Sequence, residues 1–296
     1  MNLIKPDKLK HGDTIAIIAP AGCVDKEKII NSKKYFESRG FKVKLGENLF
    51  KKDRYMAGND NERLSDFHEA FEDKEVRAIF CARGGYGAIR LINKIDYNII
   101  KNDPKIFCGY SDISALSAMI LKKTGLITFS SPMAQGDFQP EDLCEYTVNN
   151  FWQTISSNNV KIEPKELKIY KNGEAQGILF GGNLATISSL CGLDFIPDVK
   201  FIFFAEDLNE PVYKIDRYFR QLLNIEVFRK NLSAIILGDF LDVEYSEQLN
   251  TLFTEIAQEL QIPVIGRYPI SHDREKVTLP IGGKAILNSG ILTVEY

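Results

Sequence analysis

The chain is poor in the residues that build disulfide frameworks and metal sites. It has five Cys in 296 residues, none in C-x-x-C spacing, and the odd count argues against a disulfide framework. The three His, at positions 11, 68 and 272, are too few and too scattered for a His-rich metal site, so no metal is expected. No apolar run approaches the roughly 20 residues that cross a bilayer. The opening Met1-Asn2-Leu3-Ile4-Lys5-Pro6-Asp7 has no apolar stretch ahead of its charges and does not read as a signal peptide. Excess charge is also missing. A formal net charge of -3 gives no reason to expect a nucleic-acid or membrane partner. These absences predict a cytoplasmic protein. The G-x-G-x-x-G fingerprint is absent and no P-loop Lys follows the glycine-rich turn at 84–87, which counts against a nucleotide-binding α/β protein. There is no internal repeat.

What is present is ordinary globular composition, 44% hydrophobic and 26% charged, in a length that suggests two domains. Thr14 to Ala19 is a near-continuous apolar run, as a buried parallel strand requires. Pro20-Ala21-Gly22 stops it, and Asp25 can cap a helix running to about Arg39-Gly40. Further strands are predicted at 41–45, at 76–81, in the apolar run that ends at Gly109, and at 126–129. Between them, Asn59-Asp60 opens a helix with Leu64, Phe67, Ala70 and Phe71 on one face. Alternation of strands and helices predicts an α/β fold: an N-terminal parallel sheet with flanking helices over 1–130, functional at its strands' carboxyl ends. The pattern loosens over 131–175, read as connecting structure with one helix near 141–152. A smaller C-terminal α/β domain is expected over 176–296, with strands at 177–180, 201–205 and 233–237, helices at 211–223 and 246–260, and a terminal hairpin around Asn288-Ser289-Gly290.

The chemistry centres on Lys105 to Leu116. A short apolar run ends at Gly109 and a helical pattern begins at Asp112, so Ser111 falls on a strand-to-helix turn. Such a turn lifts a hydroxyl clear of the sheet and aims backbone N–H groups at whatever binds there. The same position suits a Ser that merely caps the helix, and local sequence leaves both readings open. A Ser nucleophile needs a base and a group that orients it. His11 reads as a solvated turn residue and His68 as a half-buried packing residue. His272 lies in a loop after a predicted strand, where catalytic groups collect. Spacing does not choose the orienting acid among Glu206, Asp207, Glu210, Asp239 and Asp273, although Glu206 ends the most hydrophobic strand of the second half. Arg83-Gly84-Gly85-Tyr86-Gly87 follows a strand and could cradle an anion, or complete an oxyanion hole with the N–H of Asp112. Cys81 and Cys108, inside strands, read as small buried hydrophobes.

Six stretches taken together resemble the L,D-carboxypeptidase family, which includes the microcin C immunity peptidases. They are Gly12 to Pro20 with Lys5-Pro6 before it, Ala82 to Gly87, Gly109 to Ile113, Gly181-Gly182-Asn183-Leu184, Glu206-Asp207 ahead of Pro211 to Arg217, and Leu279-Pro280-Ile281-Gly282 after His272. The resemblance spans nearly the whole chain. It implies a Ser-Glu-His triad of Ser111, Glu206 and His272, with the nucleophile on the first domain and the acid and base on the second. It also implies an oxyanion hole from the N–H groups of Gly85 and Asp112, and a substrate pocket near Arg83 and Asn183. Many relatives carry Gly before the base, where this chain has Ser271. The implied activity is removal of the terminal D-alanine from a cell-wall muropeptide, a small peptide substrate, by a homodimer that needs no cofactor. The alternatives are an immunity-type hydrolase of peptidyl- or aminoacyl-nucleotides and, in another class, a non-catalytic muropeptide-binding module.

Overall fold

The computed structural model describes residues 1–243 and 246–296. In chain order the elements are β1 (Thr14–Ile18), α1 (Lys26–Ser38), β2 (Lys42–Leu45), α2 (Asp60–Glu72), β3 (Val76–Cys81), α3 (Tyr97–Asn102), β4 (Ile106–Cys108), α4 (Ser114–Thr124), β5 (Thr128–Ser130), α5 (Ala134–Asp137) and α6 (Glu145–Ser156). They continue with β6 (Asn159–Ile162), β7 (Lys168–Lys171), β8 (Ala175–Asn183), α7 (Leu184–Ser188), β9 (Phe201–Leu208), α8 (Val212–Leu223), α9 (Glu226–Asn231), β10 (Leu232–Leu241), α10 (Ser246–Leu260), β11 (Val264–Gly266), β12 (Leu279–Ile281), β13 (Lys284–Asn288) and β14 (Ile291–Glu295).

Six strands form the first sheet in the order β12-β5-β4-β3-β1-β2. Its five N-terminal strands are parallel, and β12 joins β5 antiparallel. Every residue of β1 is buried, whereas β2 at the edge alternates exposed and half-buried, as its Lys-Val-Lys-Leu sequence dictates. The helices start where their polar residues can satisfy free N–H groups. Asp25 accepts from the N–H groups of Glu27 and Lys28, and Asn59 forms a reciprocal capping box with Glu62.

The second sheet has eight strands in the order β6-β14-β13-β8-β9-β10-β11-β7, with β8 to β11 mutually parallel and the flanking strands antiparallel. Two outcomes differ from the reading of the sequence. The segment 131–175 is built into both halves: Phe138 on leaving α5, and Val148 and Phe151 of α6, pack with Ile15, Phe36 and Phe80 over the first sheet, while β6 and β7 form the two edges of the second. Burying one such Phe contributes about 2–3 kcal/mol, so this stretch is held as firmly as the strands it joins. The second difference is β12, a three-residue strand that returns to the first sheet from within the C-terminal half.

The two sheets share a core. Phe67, Phe71 and Phe107 on one face of the first sheet belong to the same buried cluster as Leu179, Phe201 and Phe203 of the second, linked through Leu116, Met119 and Ile120 of α4. Since α4 follows the Ser111 turn directly, that turn at the carboxyl end of β4 leads into the helix that packs in the shared core. Among the described residues, no helix is long and apolar enough to cross a membrane.

Candidate active site

Buried β4 ends at Cys108, and the chain then turns through Gly109, where an added Cβ would stand 2.9 Å from Ile113 and 3.0 Å from Cys81. Ser111 follows with φ +63°, in the left-handed region that a Ser adopts at a cost of about 1 kcal/mol or more. It opens a short 3-10 turn, Ser111–Ile113, that runs into α4. Neither the turn nor α4 has a side-chain cap. Of the two readings left open by the sequence, the structure therefore forms the strained elbow rather than the capped helix.

The loop after β3 lies against this elbow with no side chain between them. A Cβ on Gly84 would sit 2.8 Å from Ser111 Cβ, 2.9 Å from its Oγ and 3.4 Å from the N of Asp112. Gly85 and Tyr86 beside it are exposed, and Gly85 has φ +102°. The loop is fixed from beneath. Gly22 N–H donates to Gly84 O at 3.0 Å, and the buried Arg63 of α2 donates through Nη1 to Pro20 O and Gly87 O at 2.6 and 2.9 Å. Asp112 accepts the Ala88 N–H at 2.8 Å. Burial of the Asp112 carboxyl drives its pKa up to about 6, against the lowering effect of that hydrogen bond and of the Arg63 charge. Of the two residues expected to supply oxyanion donors, Asp112 follows Ser111 directly, and Gly85 follows Gly84, the residue that meets Ser111.

Glu206 does not end its strand; β9 continues to Leu208, and the two-residue period of the strand divides the work of its carboxylates. Glu206, 3% exposed, places Oε2 2.7 Å from Nδ1 of His272. Asp207 faces the other way. It accepts from Asn183 Nδ2 and from the N–H groups of Ala185 and Leu208, each at 2.9 Å. Burial raises the Asp207 carboxyl to about 6, a shift that these hydrogen bonds oppose. Of the five acids that spacing could not separate, Glu206 is the one that holds the imidazole. Glu210 pairs with Lys214 at 3.2 Å.

His272 lies on the 267–278 loop, which leaves β11 in the second sheet and enters β12 in the first. The loop is pinned by Asp239 N–H to Ile270 O and by Val277 N–H to Pro269 O, both 2.8 Å. Ser271 is accommodated by burying its side chain and accepting the Asp273 N–H at 2.9 Å. Burial alone would lower the imidazole pKa. The hydrogen bond and charge of Glu206, helped by the charge of Asp207, outweigh it, and the net shift is upward with Lys276 opposing. The ring meets that of Tyr110, the residue before Ser111, edge-on with centroids 5.0 Å apart. The Glu206–His272 pair and the elbow are therefore neighbours, although among the hydrogen bonds of the described residues none yet joins Ser111 Oγ to the imidazole. Such bonds often form only once substrate is bound.

The remaining assignments separate. Arg83 is half-buried beside the loop, donates to Cys23 O at 3.1 Å, and forms no ion pair with an acidic residue among the described residues. Asn183, 7% exposed, is given structural partners instead of an open pocket: its Oδ1 accepts from Thr186 N and Oγ1, its Nδ2 serves Asp207, and its N–H donates to Ser114 Oγ at 3.1 Å. It caps α7 and ties the second sheet to the start of α4. His11 is exposed, and His68 is half-buried and accepts the Asp96 N–H at 3.1 Å. Cys81 and Cys108 are fully buried, and burial raises both thiols, Cys108 to about 12, far from any reactive range. Sequence reasoning passed over Tyr110, Lys276 and Arg63. Only Arg63 left a signal, as a charge one turn before Phe67 on the apolar face of its helix.

Comparison with known proteins gives the family of the chain. Residues 15–131 match the model of the LD-carboxypeptidase N-terminal domain and residues 176–287 that of the C-terminal domain. The chain belongs to the LD-carboxypeptidase family. It is a serine-type carboxypeptidase, a hydrolase. A probable murein peptide carboxypeptidase of Bacillus subtilis is 36% identical over 293 residues, covering 96% of this chain and 92% of the relative. The microcin C7 self-immunity protein MccF of Escherichia coli is 32% identical over 318 residues, covering 95% and 92%. The crystal structure of a muramoyltetrapeptide carboxypeptidase from Oxalobacter formigenes superposes with a TM-score of 0.86 at 32% identity, over 96% of this chain and 99% of that one.

Proposed function

We propose that this carboxypeptidase releases the terminal D-alanine of a cell-wall tetrapeptide during murein recycling, through a triad of Ser111, His272 and Glu206. The observation that carries the reading is the 2.7 Å pair of Glu206 and His272 standing against the elbow of Ser111. Glu206 holds Nδ1 protonated, which leaves Nε2 free to take the Ser111 proton as the hydroxyl attacks the carbonyl carbon. Charge then develops on the carbonyl oxygen, where the N–H groups of Gly85 and Asp112 stabilise it. The imidazolium returns its proton to the departing amine of D-alanine, and water repeats the sequence to free the acyl group. A substrate with a terminal carboxylate calls for a cation. We assign that task to Arg83, whose guanidinium has no acidic partner among the described residues and whose planar fork matches a carboxylate. The cytoplasmic homodimer implied by the family accompanies this reading.

Mass spectrometry of a murein tetrapeptide incubated with wild-type protein and with Ser111→Ala tests it. Release of D-alanine by the wild type alone is the expected result. An untouched tetrapeptide together with hydrolysis of a peptidyl-nucleotide would keep the triad and transfer the substrate to the immunity class. Stacking on a purine would need an aromatic in the cleft; Trp152 stacks on Phe41 at 5.3 Å, whereas Tyr86, in the turn beside Gly84 and Gly85, is exposed.

A further inference from the structure

The loop that carries His272 makes contacts that a triad does not require. Lys276 is 5% exposed, and its ammonium pairs with Asp137 at 2.5 Å. Asp137 ends α5, on the nucleophile's side of the molecule, and its other carboxylate oxygen accepts the Met133 N–H at 2.8 Å. The same ammonium lies 5.0 Å from the centroid of the Tyr110 ring, and that ring is the one His272 meets at 5.0 Å. Asp137, Lys276, Tyr110, His272 and Glu206 thus form one continuous line of contacts from α5 to β9. Around it α6 fastens the loop: Thr147 Oγ1 donates to Arg274 O and accepts the Lys276 N–H, and Asn150 accepts the Thr278 N–H at 2.7 Å.

A buried ion pair is a poor way to gain stability. Desolvating both charges costs several kcal/mol each before their attraction offsets it, and an apolar pair of similar volume usually serves as well. What such a pair supplies is a defined geometry, because the ammonium has one acceptable seat. Here that seat is the face of the ring that forms one wall of the imidazole's site.

We propose that Lys276, seated by Asp137, is a positioning residue for the catalytic base: it fixes the Tyr110 ring and the 267–278 loop so that His272 presents its free nitrogen to Ser111. The inference rests on the triad reading above. The charged and titratable groups that bear on His272 are Glu206, bonded to it from β9, Asp207, which faces away from it and acts through its charge alone, Tyr110 from the elbow and Lys276 from its own loop. The ammonium is the one cation among them, and its field opposes the carboxylates.

Two kinds of measurement test this. Lys276→Met and the charge-balanced pair Lys276→Met with Asp137→Asn are compared with Lys276→Arg, which keeps a cation over the ring. Kinetics on the tetrapeptide are expected to show kcat reduced about 10-fold or more in both Met variants, with KM within about 3-fold, as for an interaction made in the transition state. Lys276→Arg is expected to recover most of that loss. NMR titration of the imidazoles, with His272 assigned through His272→Gln, is expected to show its midpoint raised by roughly half a unit to one unit in the Met variants, the scale of one nearby charge removed. The double variant leaves no unpaired carboxylate, so it keeps the test open if Lys276→Met alone does not fold. Wild-type kcat in the double variant, or activity lost with the His272 titration unmoved and Lys276→Arg no better than Met, would overturn the proposal. The titration needs no substrate, so failure of the tetrapeptide assay on wild-type protein would count against the proposed function and leave this inference separately decided.

Discussion

Gly84→Ala is the sharpest perturbation the structure offers, because it adds one methyl group directly against Ser111, the proposed nucleophile. Gly84 lies outside the left-handed region, so Ala meets no conformational penalty there. The penalty is steric. The new Cβ stands 2.8 Å from Ser111 Cβ, whereas ordinary contact begins at 3.4 Å, so the elbow and the loop must part by the difference of 0.6 Å. Neither side gives easily. The loop is tied through Gly84 O to Gly22 N–H, and Ser111 is pinned at φ +63° between β4 and its 3-10 turn. Overpacking of this kind costs about 1–3 kcal/mol of stability. A displacement near 1 Å at a reacting group costs about 100-fold in rate, so kcat on the tetrapeptide should fall between about 10-fold and 100-fold. Gly85→Ala is the control. At φ +102° it strains the backbone by about 1–2 kcal/mol, but its Cβ would meet Gly22 Cα at 3.4 Å and touches no atom of Ser111. Thermal melts of the two variants side by side compare how far each destabilises the loop, while a kcat loss in Gly85→Ala reads displacement of its proposed oxyanion donor and that in Gly84→Ala reads crowding of Ser111. A Gly84→Ala enzyme with wild-type kcat would refute the placement of this loop against the nucleophile.

Four further outcomes follow from the same geometry. Glu206→Gln keeps the shape of the acid but loses the charge that raises His272, so kcat should fall by about 100- to 10,000-fold and the acid limb of kcat/KM should move to lower pH. In the wild type that limb should lie above the ordinary imidazole value of 6.5, because activity requires the neutral ring and its pKa is raised. For stability the sign is opposite: the Glu206–imidazolium pair contributes fully below 6.5 and its contribution is lost as pH rises through the raised value, which melts recorded between pH 5 and 9 would show. Asp207, raised by burial to about 6, binds its proton more tightly folded than unfolded, so stability should decline between about pH 4 and 6 by up to about 3 kcal/mol for that group. Asp207→Asn should flatten that slope, and an unchanged slope would show that the carboxyl is ionised without cost. Ser111→Gly should abolish activity yet melt no lower than Ser111→Ala, since Gly alone relieves the left-handed strain; a lower melt would mean that the strain is not there.

Much of this site was legible because parallel strands write their own ends. A buried run must stop at a turn, and in an α/β sheet the turns at the carboxyl ends are where side chains are free to act. Ser111 and Arg83 to Gly87 follow such runs, and their positions were readable one strand at a time; Glu206 lies inside β9, two residues before its end. The partner of His272 was not, because choosing it required knowing which way each residue of β9 faces. Glu206 and Asp207 are chemically near-equivalent in sequence, and a register of one residue would exchange their roles. Resemblance to the family chose between them where spacing did not. Asn183 shows the opposite limit. An Asn after two glycines at a strand end suits a pocket and a helix cap equally, and the Thr at 186 and the acid at 207 committed it to the cap.

His272, the proposed base, was the least legible member for a reason rooted in topology. Its loop begins on β11 in one sheet and ends on β12 in the other, and β12 is three residues long with Pro280 at its centre, too short to announce itself. Its one neighbour, β5, is 149 residues earlier from Ser130 to Leu279, so only the folded sheet reveals the pairing. Once it is made, His272 hangs on a strap fastened to both halves, with Lys276 and Thr278 tied to the 131–175 segment that also joins both sheets. Displacing either sheet would pull on that strap and move the imidazole relative to Ser111. The features hardest to read, the returning strand and the segment taken for a connector, are therefore the ones that set the distance between Ser111 and His272, the proposed nucleophile and base.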